Sequence, residues 1–127
     1  MDSLLIEIHA QLGITQKHID ANRLHYQEQP PLEKLEIVDF DFEGRAFILS
    51  SVTAQAWRKM TQAALGDQIQ LMPFSGFRSY QLQKSLIEKH LKNGRAIEDI
   101  LTHIAIPGFS EHHTGRAIDI HSRLEGM

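Results

Sequence analysis

The chain has 127 residues, 42% of them hydrophobic and 23% charged, with a formal net charge of −3 and no cysteine. That length suits one domain, 1–127, with a core of its own. The missing thiols exclude disulfides, thiolate metal sites and a cysteine nucleophile, and the slightly acidic balance without a basic block excludes nucleic acid as the main partner.

Leu4, Leu5, Ile8 and Leu12 recur at helical spacing and Gly13 is a stop signal. Thr15 is placed to cap a second helix through Ile19 and Leu24. Pro30-Pro31 breaks any helix and joins an N-terminal helical segment, 1–31, to the rest, 32–127. The period then changes to two. Ile37, Val38, Phe40 and Phe42 predict a strand, Glu43-Gly44 a turn, and Ala46–Leu49 the returning strand. Ser51 or Thr53 is expected to cap the next helix, with Ala56, Trp57, Met60, Ala63 and Ala64 on its buried face and Gly66 at its end. Ile69, Leu71 and Met72 predict a short buried strand. Ser79 is expected to cap a helix carrying Leu82, Leu86, Ile87 and Leu91 that stops near Gly94. Ile97, Ile100, Leu101 and Ile104 mark one more helix before Pro107-Gly108, and Ala117 to His121 alternate as a strand. Helices mixed with hairpin strands, without a βαβ rhythm, predict an α+β fold with a small, mainly antiparallel sheet.

The start, Met1 to Glu7, has no basic leader and reads as no secretory signal, so the chain as it stands is expected in the cytoplasm. No apolar stretch reaches the length of a membrane span. With eight histidines and no cysteine, a transition-metal site must use His with Asp or Glu.

The segment Ser110-Glu111-His112-His113-Thr114-Gly115-Arg116-Ala117-Ile118-Asp119 concentrates such donors in a loop that feeds a strand. An imidazole from His112 and a carboxylate from Asp119 are suitable zinc ligands, and the loop lets both side chains converge. Gly115 permits a close backbone approach or a positive φ there. Ser-x-His-x-x-Gly-x-Ala-x-Asp resembles the first metal motif of the superfamily that holds lysostaphin-type peptidases, D-Ala-D-Ala peptidases and the hedgehog signalling domain. Upstream, Ser75-Gly76-Phe77-Arg78-Ser79-Tyr80-Gln81-Leu82-Gln83 is similar to the Ser-Gly-aromatic-Arg-Ser-x-x-x-Gln block of VanY-type D-alanyl-D-alanine carboxypeptidases. The two blocks stand in the family's order and cover roughly residues 71 to 121.

The resemblance implies a zinc-dependent carboxypeptidase that removes the terminal D-alanine of a peptidoglycan stem peptide; members of that family often work in the periplasm or cell wall, so by the resemblance the expected place is outside the cytoplasm, against the reading of the N-terminus alone. By it, His112 and Asp119 bind zinc, and Arg78 stabilises the oxyanion. Ser110 binds the peptide near the metal, while Ser79 and Gln83 shape the substrate pocket. The family takes its second His ligand and a Glu base from a later segment, and the residues from Asp119 to Met127 hold no Glu-x-x-His. Three readings follow. The chain is the front part of such an enzyme; or a local residue substitutes, with His121 a further metal candidate and Glu125 a candidate base; or this is a catalytically inactive module that binds cell-wall peptide or a protein partner.

Simpler roles stand beside these. Arg78 is also placed to pair with a surface carboxylate, and Ser79 to be no more than a helix cap. Trp57 and Met60 read as core. His113 is expected to turn away from its neighbour, behind it or towards solvent. His9, His18, His25, His90 and His103 are expected on exposed helix faces, as are Glu88 and Glu98.

Overall fold

The computed structural model describes residues 2–124. They form two compact units, one of the residues up to Glu28 with Ser79–His113, the other of Gln29–Arg78 with the chain from Thr114 onward. The class is α+β, as expected from the sequence.

In the first unit, helix α1 spans Ser3–Leu12. Asp2 caps it by accepting the Leu5 N–H at 2.9 Å, and Gly13 ends it at φ +74, which suits a residue without Cβ. Helix α2 covers Gln16–Ala21. Its cap is reciprocal: Thr15 Oγ1 accepts from His18 N, and the His18 ring accepts from Thr15 N. The helix stops before Leu24, because Asn22 brackets the Leu24 backbone with two side-chain hydrogen bonds of 3.1 Å. Helix α4 spans Tyr80–Lys92 behind its Ser79 cap, and α5 is a single turn, Ile97–Ile100. The expected longer helix through Ile104 is not continued; Leu101 and Ile104 still pack at the edge of the core from irregular backbone. That core joins Leu5, Ile8, Leu12 and Ile14 to Tyr80, Ile87, Ile100, Ile106 and Phe109. Ile87 is wholly buried, so its truncation to Ala removes about 2–5 kcal/mol.

In the second unit, β1 (Leu35–Phe40) and β2 (Ala46–Ser50) form an antiparallel hairpin. Asp41 Oδ1 accepts from the backbone N–H of both Glu43 and Arg45 at 2.9 Å, which builds the turn. Helix α3 (Ser51–Gly66) follows β2 without a gap, so the cap is Ser50, one residue before the expected position. Its buried stripe is Ala54 and Trp57, with Thr61 and Ala64 half-covered; Ala56, Met60 and Ala63 lie on the open side. The expected face was therefore rotated, and Met60 is not core. Strand β3 (Ile69–Ser75) pairs antiparallel with β4 (Asp119–Leu124), from Ile69 opposite Leu124 to Ser75 opposite Asp119. It is half-covered along its length, not buried as its apolar residues suggested. Phe47, Leu49, Ala54 and Trp57 make the core with Val38, Leu71 and Ile118, and the Phe47 and Trp57 rings lie 5.0 Å apart. Ile37, Phe40 and Phe42 are exposed instead, and Val38 is the β1 residue that packs against this core.

Candidate functional site

The first motif block leaves the end of β3. Ser75 makes the last pair with Asp119, after a register shift at Phe74. The chain then crosses to β2, where Phe77 N donates to Ile48 O at 2.7 Å. Gly76 lies against that same carbonyl, and a Cβ there would run into Ile48 O. This crossing explains why β4 begins at Asp119 and not at Ala117: the strand that would pair with Ala117 and Ile118 has already departed.

Gly115 approaches β2 two residues further on. Its carbonyl accepts from Ser50 N at 2.9 Å, its φ is +74, and a Cβ would stand 2.8 Å from Ser50 N. Both motif glycines are thus needed where a loop touches the rim of β2. The result brings Arg78 and Asp119 together, with Nη2 3.8 Å from Oδ2. The Arg78 side chain is 20% exposed and that of Asp119 54%. Burial pulls the Arg78 guanidinium below its ordinary pKa, and the Asp119 carboxylate opposes that shift. His121 shares β4 with Asp119 at a spacing of two, which puts both on one face, and its ring meets Phe74 edge-on at 5.1 Å.

The other motif residues belong to the first unit. Ser110 and His112 sit in a loop that is largely buried from Ile106 to Ser110 and ends in a 3-10 turn, Glu111–Thr114. Ser110 Oγ accepts from His112 N at 3.2 Å. His112 is half-buried, whereas His113 is fully buried and accepts the Gly108 N–H on Nε2 at 3.0 Å. His9, expected on an exposed face, is also buried; its ring donates to Pro107 O at 2.7 Å. Gln83 is buried and donates to Ala105 O at 2.9 Å, so it acts on the same loop. Ser79 Oγ accepts from Leu82 N at 3.0 Å as the α4 cap. His18 is half-covered and pairs with Glu98 at 3.1 Å.

Sequence reasoning missed His9 as a support of this loop, and for His113 it left a place behind His112 and a place in solvent both open. His9 carried a signal, because it stands four residues after Leu5 on the apolar stripe of α1. His113 carried none beyond its adjacency to His112. Among the described residues no group of three or more His, Asp or Glu side chains could hold a metal. Glu125, the candidate base, lies outside the described residues. No helix among the described residues is long and apolar enough to cross a membrane.

Residues 47–126 match the family model "VanY: D-alanyl-D-alanine carboxypeptidase". The Bacillus subtilis (strain 168) protein named "Putative carboxypeptidase YodJ" is 37% identical over 94 residues, 71% of this chain and 33% of its own length. Among solved structures, the LdcB LD-carboxypeptidase superposes with a TM-score of 0.64 at 31% identity, over 76% of this chain and 46% of the other. A mutant of the vancomycin resistance D,D-pentapeptidase VanY in complex with Zn(II) gives a TM-score of 0.54 at 21% identity, over 80% and 58%. The chain therefore spans about a third of the curated relative and about half of these structures.

Proposed function

The chain belongs to the VanY family of D-alanyl-D-alanine carboxypeptidases, and on that premise we propose that it supplies part of a zinc-dependent site that hydrolyses the terminal D-alanine bond of peptidoglycan stem peptides. The observation that carries the proposal is the Arg78–Asp119 juxtaposition, because it puts a cation beside a ligand-type carboxylate using one residue from each motif block.

The donor chemistry fits zinc: His112 offers an imidazole and Asp119 a carboxylate, both accessible in part. A catalytic zinc site takes three protein ligands, so these two furnish an incomplete set, with His121 a further candidate. When bound, zinc polarises a carbonyl and lowers the pKa of water towards about 7. Arg78 is the group we assign to the developing oxyanion. Its cation is largely withdrawn from water, where such a charge acts more strongly than in bulk solvent. Ser110 would hold the peptide backbone near the metal. Ser79 and Gln83 would act on the substrate side through what they hold: the start of α4 and the Ala105 carbonyl.

The Zn(II) complex of a VanY mutant and the structure "VanYB in complex with D-Alanine-D-Alanine" agree with this choice of metal and ligand class. The test is zinc content together with release of D-alanine from a stem pentapeptide. We expect stoichiometric zinc that is lost in His112→Ala and in Asp119→Asn. Zinc without turnover would instead favour a peptide-binding module, and no zinc at all would overturn the reading.

A further inference from the structure

The residue at 113 is left open by the motif Ser-x-His-x-x-Gly, yet it is the most deeply enclosed member of the segment. The His113 ring is 0% exposed and packs edge-on against Tyr80 with centroids 4.7 Å apart. Its Nε2 receives the Gly108 N–H, so that nitrogen carries no proton and the ring is a neutral acceptor. Gly108 is held from its other side too, since its carbonyl accepts from Gln27 N at 2.7 Å. Tyr80, the ring that packs on His113, donates its hydroxyl to Gln27 O at 2.6 Å. Gly108 has φ +98, and a Cβ there would come within 2.9 Å of Leu5 Cδ1. The loop before Ser110 is therefore locked in a conformation open only to glycine, and His113 is one of its locks.

We propose that His113 is a positioning residue for His112. The two sit side by side in the Glu111–Thr114 3-10 turn, where successive side chains are spread about 120° apart around the axis. Fixing the rotation of that turn through one side chain fixes the direction of the next. His113 does so from inside: its bond to Gly108 closes a short ring of chain containing Ser110, whose hydroxyl and carbonyl in turn accept from His112 N and His113 N. The adjacent imidazoles thus have divided tasks, one turned inward to set the loop and the other left half-exposed to bind. This inference rests on the zinc-ligand role of His112 given above.

The test compares His113→Phe, which keeps a ring and removes the acceptor, with His113→Gln, which keeps an acceptor. Hydrogen exchange at the Gly108 amide and zinc affinity are read in both. Phe is expected to speed Gly108 exchange by tenfold or more and to weaken zinc binding about tenfold, while Gln restores both to within about threefold. Equal zinc affinity in the parent and Phe chains overturns the proposal, as does slow Gly108 exchange in the Phe variant. If the Phe variant does not fold, 15N NMR of the parent decides: a protonated Nε2, or no change in the Gly108 amide on zinc addition, overturns it. A parent chain that binds no zinc overturns the metal site itself, and Gly108 exchange in the variants then reads the loop-holding role separately.

Discussion

Arg78 and Asp119 face each other across the end of the β3–β4 pair, Nη2 to Oδ2 3.8 Å, although forty residues of chain and a whole helix intervene between them. The distance is long for an ion pair, and the carboxylate is half in solvent. The contact is accordingly a weak contributor to stability, and its significance lies in placement. On the proposed function, replacing Arg78 with Ala should lower kcat for D-alanine release by about 10²–10³ while thermal stability changes little. Lys should restore only part of the rate, because it lacks the planar fork. Steady-state kinetics and a melting curve on the same samples separate the two effects.

The motif glycines should behave differently from Arg78. Gly76→Ala places a methyl on Ile48 O, and Gly115→Ala combines a left-handed φ with an approach of 2.8 Å to Ser50 N. Each should cost about 1–3 kcal/mol of unfolding free energy, read by urea denaturation.

Gln83→Leu keeps the volume and removes the donor to Ala105 O. It should destabilise by about 1–3 kcal/mol through the orphaned carbonyl. If Gln83 works through the loop, zinc affinity should fall as well.

The hairpin turn gives a pH signature. Burial pushes the Asp41 carboxyl up, but the N–H groups of Arg45 and Glu43 and the Arg45 guanidinium together hold it below its ordinary 3.8. A carboxyl depressed in the folded state stabilises fully above its unfolded value and loses that contribution as pH falls through the folded one. The Tm difference between the parent and Asp41→Asn should therefore be largest at neutral pH and shrink steadily below about pH 4. A difference independent of pH would rule out the charge as its source.

Much of this arrangement is written locally. The Asp2, Thr15 and Ser79 caps, the Gly13 stop and the Glu43-Gly44 turn follow from chemistry within a few residues. Position 115 was legible as a close approach for the same reason. What escaped depends on partners distant in sequence. Ser50 takes the cap because β2 runs straight into α3, and Met60 is open because the stripe is set by Phe47 beneath Trp57. The strand at Asp119 starts late because Gly76 and Phe77 leave to meet Ile48. The inward turn of His113 stayed one of two options for a similar reason: no pattern in a single sequence says whether the second of two adjacent histidines finds a buried amide or solvent.

The outer rim of β2 has a further consequence. Ile48 O is taken by Phe77 N and Ser50 N by Gly115 O, so the two loops that bear the proposed site residues also occlude backbone groups that would otherwise template another strand. A lesion that loosens either loop should show itself first as self-association, visible in light scattering at high concentration, before any loss of helix signal.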